Sequence, residues 1–217
     1  MLYIAAIDYE HLDNGVFLTT LAKSLYQLQG KEDVRSIIIH RDSAYTERII
    51  QTGVMREEAI VRSVKDLNNR LVALFADQGV STVGINPSQR KFITREDDQL
   101  TFDRSFYETL PSKSVLLLSS LVYDINSEQN VVLELPTLAQ FLFKELSAEE
   151  LFIFSKSDES EIFTSDISEK MHWKTIDPSF RQNQIPSEFT ALNQPVQLVT
   201  ARDFNEIPNV KHSIFIR

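Results

Sequence analysis

The segment LELPTLAQFLFKELSAEELFIF, residues 133–154, carries a helix signal and a strand signal back to back. Leu138, Phe141, Leu142 and Leu146 recur at helical spacing after Pro136, and proline is accommodated in a first helical turn because its missing N–H has no intrahelical partner there. The apolar run 151–154 then reads as a buried strand. A strand ending near Leu135, a short helix and a second buried strand make a βαβ unit, which predicts a right-handed crossover and a parallel sheet.

Outward from this unit, the same alternation continues. Residues 2–7 form a short apolar strand, and Phe17, Leu18, Leu21, Leu25 and Leu28 mark one face of a helix that starts after Asp13-Asn14-Gly15 and stops at Gly30. Residues 36–39 are the next buried strand, followed by His40-Arg41-Asp42-Ser43, where Asp42-Ser43 suits a helix cap, and by a helix closing at Gly53. Ile60, Val64, Leu67, Leu71, Leu74 and Phe75 define the buried face of a long helix over 57–78, with Gly79 beyond its end. Strands are expected at 80–85 and 115–118, and a hairpin from 91–94 and 99–102 through a polar turn. A short helix is expected over 103–110, a polar loop over 123–130, and closing strands at 196–200 and 213–216. Trp173 stands out in the polar stretch 165–184 as an anchor.

Bulk properties narrow the function. The chain has 217 residues, 42% hydrophobic and 24% charged, which suits one soluble domain with a sizeable core. Thirty-one acidic against 22 basic residues give a formal charge of −9, with no basic stripe, so nucleic acid is not the expected partner. There is no cysteine to supply a disulfide, a thiolate ligand or a nucleophile. No apolar run approaches a membrane span and no signal segment opens the chain, so no membrane association and a cytoplasmic location are expected. The four histidines His11, His40, His172 and His212 lack ligand spacing. Asp124, Asn126 and Glu128 alternate without the glycine turn or terminal acid of a calcium loop, so no metal site is expected. No serine sits in the glycine elbow of a hydrolase. Five glycines, where about 15 would be usual at ~7%, leave little material for loops that cradle phosphate.

Two stretches carry a family resemblance. Residues 133–154 resemble the segment "NADxxAxxLAxxLxAxxLxxLTD" of the amino acid kinase family, acetylglutamate kinases above all, with Glu134, Leu135 and Pro136 in place of Asn-Ala-Asp. The run LNNRLVALFADQGVSTVGINP, from Leu67, resembles the family's "VNKELVALLNxxGxxAVGLSG". The resemblance implies a three-layer α/β/α sandwich with a mainly parallel central sheet. It covers one domain over 1–217, with an acceptor-side half over 1–130 and a nucleotide-side half over 131–217. It also implies a homodimer through the first half.

The positions that bear the family's chemistry depart from its pattern. Ala6, Ile7, Asp8, Tyr9 and Glu10 stand across "KxGGS", so the first lysine reads Ala6 and the glycines and serine read Asp8, Tyr9 and Glu10. Of "HGGG" only His40 remains, followed by Arg41 and Asp42. Pro136 replaces the aspartate that orients the lysines, and Ser187 stands at the second lysine. The "LTDVxGV" glycine is absent from residues 155–160, and the "GLRVTD" segment is missing between Gly53 and Leu67, with Arg56 as the nearest arginine. The leading expectation is a non-catalytic pseudokinase that binds a small ligand, such as an acidic one, or a protein partner, with no cofactor and no catalytic residue. The alternative is a divergent kinase that uses Mg-ATP on a small carboxylate such as an acylated amino acid, with Arg41, Arg56 or Lys156 as replacement charges. The first expectation requires a cleft at Asp8 and Asp42 that is narrowed or acidic.

Overall fold

A computed structural model describes residues 1–157, 170–192 and 194–217. In chain order the first half comprises β1 (Leu2–Ile7), α1 (Gly15–Gln29), β2 (Arg35–His40), α2 (Tyr45–Ile50), α3 (Arg56–Asp77), β3 (Thr82–Ile85), β4 (Ile93–Glu96), β5 (Gln99–Phe102) and α4 (Arg104–Thr109). The second comprises β6 (Val115–Ser119), β7 (Leu121–Asp124), β8 (Gln129–Val132), α5 (Leu135–Glu145), β9 (Glu150–Phe154), β10 (Lys170–Met171), α6 (Pro178–Gln184), β11 (Val196–Val199) and β12 (Ser213–Ile216). No helix among these residues is long and apolar enough to cross a membrane.

Among the described residues the main sheet runs in the order β10-β12-β11-β9-β1-β2-β6-β3. Its central pairings are parallel, and β12 turns antiparallel against β11. The inner strands read as unbroken apolar runs because both faces are covered. Register places Ile4 beside Ile37 and Leu151, and these pack with Leu138 and Leu142 of α5 on one face. Ala5, Ile38 and Phe152 point the other way, into a second core with Leu21 and Leu25 of α1 and Leu71 and Phe75 of α3. The result is the expected three-layer arrangement.

Local signals explain the helices. Asn14 caps α1 by accepting from the N–H groups of Val16 and Phe17, which otherwise have no partner in a first turn. Gly84 lets α3 lie directly on β3: a Cβ there would meet Asn68 Oδ1 and Val72 Cγ2 at 2.5 Å.

The strand before α5 differs from the expectation. Residues 129–132 pair antiparallel with β7 in a separate sheet of order β5-β4-β7-β8, so α5 does not join two neighbouring strands of one sheet. Gln129 and Asn130 are exposed and Val131 and Val132 only half-buried, which suits a covering hairpin rather than a core strand. Leu133 is instead tied to Ser120 and Leu135 already belongs to the helix. The expected polar loop over 123–130 is thus mostly a β7–β8 hairpin. Its turn is closed by Asp124, whose carboxylate accepts from the N–H and hydroxyl of Ser127 and from Arg95 Nε. The β4–β5 hairpin forms as expected, though its turn is only Asp97-Asp98, both at positive φ. Trp173 is buried, with its indole N–H donated to the Gln194 carbonyl. Residues 158–160 and 165–169 of the stretches read above lie outside the described residues.

Candidate functional site

β1, β2 and β9 are neighbours that run parallel, so the segments leaving Ile7, His40 and Phe154 meet along one edge of the sheet. The order reverses here: β1 continues to β2 on one side, while β9 continues to β11 on the other. A switch of this kind opens a crevice at the carboxyl ends of the strands, where ligands of such sheets bind.

The loop after β1 is held by the chain's own side chains. Asp8, 1% exposed, accepts from the N–H groups of Glu10 at 2.9 Å and His11 at 3.3 Å. Its second oxygen meets His11 Nδ1, and His11 Nε2 lies 3.0 Å from the Ser155 carbonyl, so this pair stitches the end of β1 to the end of β9. The Tyr9 N–H donates to Glu188 Oε1 at 2.9 Å. Glu10 pairs with Lys156 Nζ at 3.2 Å. Ala6 is fully buried in the sheet on the α5 face.

The segment after β2 is equally self-contained. Burial lowers the His40 pKa to about 4, so the ring is neutral. It donates from Nδ1 to the Arg41 carbonyl and accepts at Nε2 from Asn68. Arg41 donates from Nε to Asp42 at 2.9 Å and from Nη1 to Glu134 at 2.7 Å. Its burial works against the charge, but Asp42, Glu134 and Glu188 outweigh it and hold the guanidinium pKa up. Asp42 does not cap α2. The Ala44 N–H is taken instead by Asp13 at 2.9 Å, and the Tyr45 N–H by the Ser43 hydroxyl at 3.2 Å.

The remaining predicted positions divide. Pro136 occupies the first turn of α5, next to Glu134, which reaches Arg41. Ser187 is exposed, and its neighbour Glu188 enters the cleft in its place. Arg56 is tied to Glu47 at 2.9 Å on the α2–α3 surface, apart from the strand ends. Glu188 is the residue that sequence reasoning missed. Burial pushes its carboxyl up to about 7, against the Tyr9 N–H and Arg41, and its Oε2 is buried without a partner.

The cleft therefore gathers Asp8, Glu10, Asp42, Glu134 and Glu188 around the two cations Arg41 and Lys156, each already paired. No group of three metal-ligating side chains with suitable geometry occurs among the described residues. Phosphoryl transfer needs donors and positive charge aimed at the phosphates. Here the amides of Tyr9, Glu10 and His11 are satisfied by the chain's own carboxylates.

A second concavity of about 810 Å³ lies between the start of α3 and β8. Ile60 and Val61 form one wall and Val131 and Val132 the other, with Arg41 at its edge. Ile60, expected in the core, is half-buried on this wall instead, facing the concavity.

No family model matches the sequence and no curated protein matches it. Solved structures do. The fold is similar to an isopentenyl phosphate kinase with a TM-score of 0.64 at 11% identity, covering 100% of both chains. It is similar to N-acetylglutamate synthase from Neisseria gonorrhoeae, complexed with coenzyme A and N-acetyl-glutamate, with a TM-score of 0.64 at 18% identity, over 98% of this chain and 59% of that one. Aspartate kinase from Synechocystis gives 0.67 at 8% identity, over 100% of this chain and 40% of that one. These neighbours are members of the amino acid kinase family, and the architecture is the amino acid kinase fold.

Proposed function

We propose that this chain is a non-catalytic protein of the amino acid kinase fold, a binding module for a small ligand or a protein partner. One observation carries the reading. The backbone amides at the end of β1, which would have to face a phosphate, are occupied by carboxylates of the chain itself, Glu188 on Tyr9 and Asp8 on Glu10 and His11. A triphosphate entering there would have to displace two carboxylates and then sit beside them, and like charges at such range repel by several kcal/mol at low effective dielectric, on the order of 4 kcal/mol at 4 Å. The two cations that could offset this are held by Asp42, Glu134 and Glu10.

Thermal unfolding with and without Mg-ATP, ADP and acetylglutamate tests the reading. A ligand bound only by the folded state raises stability by about 2.7 kcal/mol at a hundredfold excess over its dissociation constant. The expected result is an unchanged midpoint with either nucleotide. A concentration-dependent rise with Mg-ATP would instead favour a divergent kinase acting on a small carboxylate.

A further inference from the structure

We propose that the cavity between α3 and β8 binds a small molecule with an apolar body and a cationic head. This deepens the binding-module reading above, on which it rests, by naming a site and a ligand class. The volume of about 810 Å³ lies within the range of about 300–1,000 Å³ usual for small-molecule sites. Its walls are aliphatic, with Ile60 and Val61 facing Val131 and Val132. An apolar body of modest size would cover surface that the chain leaves half-exposed, at about 25 cal/mol per Å² removed from water.

Charge selects the head group. Glu57, Glu58 and Glu128 also line the cavity, and none of their carboxylates has a hydrogen bond or ion pair among the described residues. Arg41, the one cation on the lining, is already held by Asp42 and Glu134. The N-terminal dipole of α3 would favour an anion, but Glu57 and Glu58 in its first turn already answer it. An anionic ligand would meet three unpaired carboxylates and no free cation. An ammonium group would instead meet a rim of carboxylate acceptors.

The test uses the full chain and three probes with one apolar body and different heads: hexylamine, 1-hexanol and hexanoate, followed by amide NMR. Hexylamine is expected to give saturable shifts centred on residues 57–61 and 128–132, tighter than hexanol, with hexanoate weakest. Glu58→Gln and Glu128→Gln are each expected to weaken hexylamine by about two- to fivefold, as for a solvent-screened charge pair, and Val61→Trp should abolish binding by filling the cavity. Both glutamates are surface side chains, so their variants report even if the tryptophan variant does not fold. Absence of saturable hexylamine binding, hexanoate binding as tightly as hexylamine, or unchanged affinity in both glutamine variants would each overturn the proposal. So would shifts at these residues that depend on protein concentration without probe, which would place a second copy of the chain in the cavity. Nucleotide binding at the strand ends would refute the non-catalytic reading without touching these outcomes, and failure of the probes would leave that reading standing.

Discussion

Replacing Glu188 with glutamine is expected to stabilise the protein at mildly alkaline pH and to do little in acid. Its carboxyl is raised from 4.5 to about 7 by burial, beside Asp8 and Asp42. Folding therefore favours the protonated form: that contribution is complete below 4.5 and is lost as pH rises through about 7. The shift corresponds to about 3 kcal/mol at most, and solvent at the carboxylate edge reduces it to an expected 1–2 kcal/mol, roughly. Glutamine keeps an oxygen for the Tyr9 N–H and carries no charge to desolvate. Urea unfolding of both proteins near pH 8 and near pH 4.5, at matched ionic strength, reads the difference directly. The variant should gain about 1–2 kcal/mol over the parent at the higher pH, with the gap closing at the lower. A variant less stable than the parent near pH 8, or a gap independent of pH, would refute the idea that this cleft carries unrelieved negative charge.

Asp8→Ala should destabilise by about 3–5 kcal/mol in the same assay, because it strips a buried partner from His11 and from two amides; a loss below about 1 kcal/mol would mean that the loop is not anchored there. Gly84→Ala should cost about 1–3 kcal/mol as α3 is pushed off β3, measured by thermal unfolding, since the new methyl meets Asn68 and Val72 at 2.5 Å. For His40 the sign is opposite to that of Glu188. Its lowered pKa means that the contribution of the neutral ring is full above 6.5 and lost as pH falls through about 4, so the stability advantage of the parent over His40→Gln should shrink across that interval.

The layers were legible where one signal sufficed. The inner strands read as unbroken apolar runs because both faces are buried, and α1 is bounded by Asn14 and Gly30. The β7–β8 hairpin was not legible. Its position is fixed by a pairing of β7 with β4, across nearly thirty residues, in which Thr94 lies beside Tyr123, and its outer strand has too little burial to leave an alternation. Ile60 was misplaced for the same reason, since helical period reports an apolar face but not whether a neighbouring sheet closes on it. At the strand ends, Asp8, Arg41 and Asp42 could be located because they follow apolar strands directly. Glu188 could not, because it reaches Tyr9 from 179 residues away on a short turn after Pro186. The only local trace is an acid set between Ile185 and Phe189, both fully buried.

Calorimetric titration of Mg-ATP into the purified protein tests most directly whether the amides after β1 are closed to phosphate. With Tyr9, Glu10 and His11 already hydrogen-bonded to Glu188 and Asp8, no saturable heat is expected. A saturable isotherm that weakens when Arg41 or Lys156 is changed to alanine would contradict the account, because it would mean that those cations leave their carboxylate partners to hold a nucleotide.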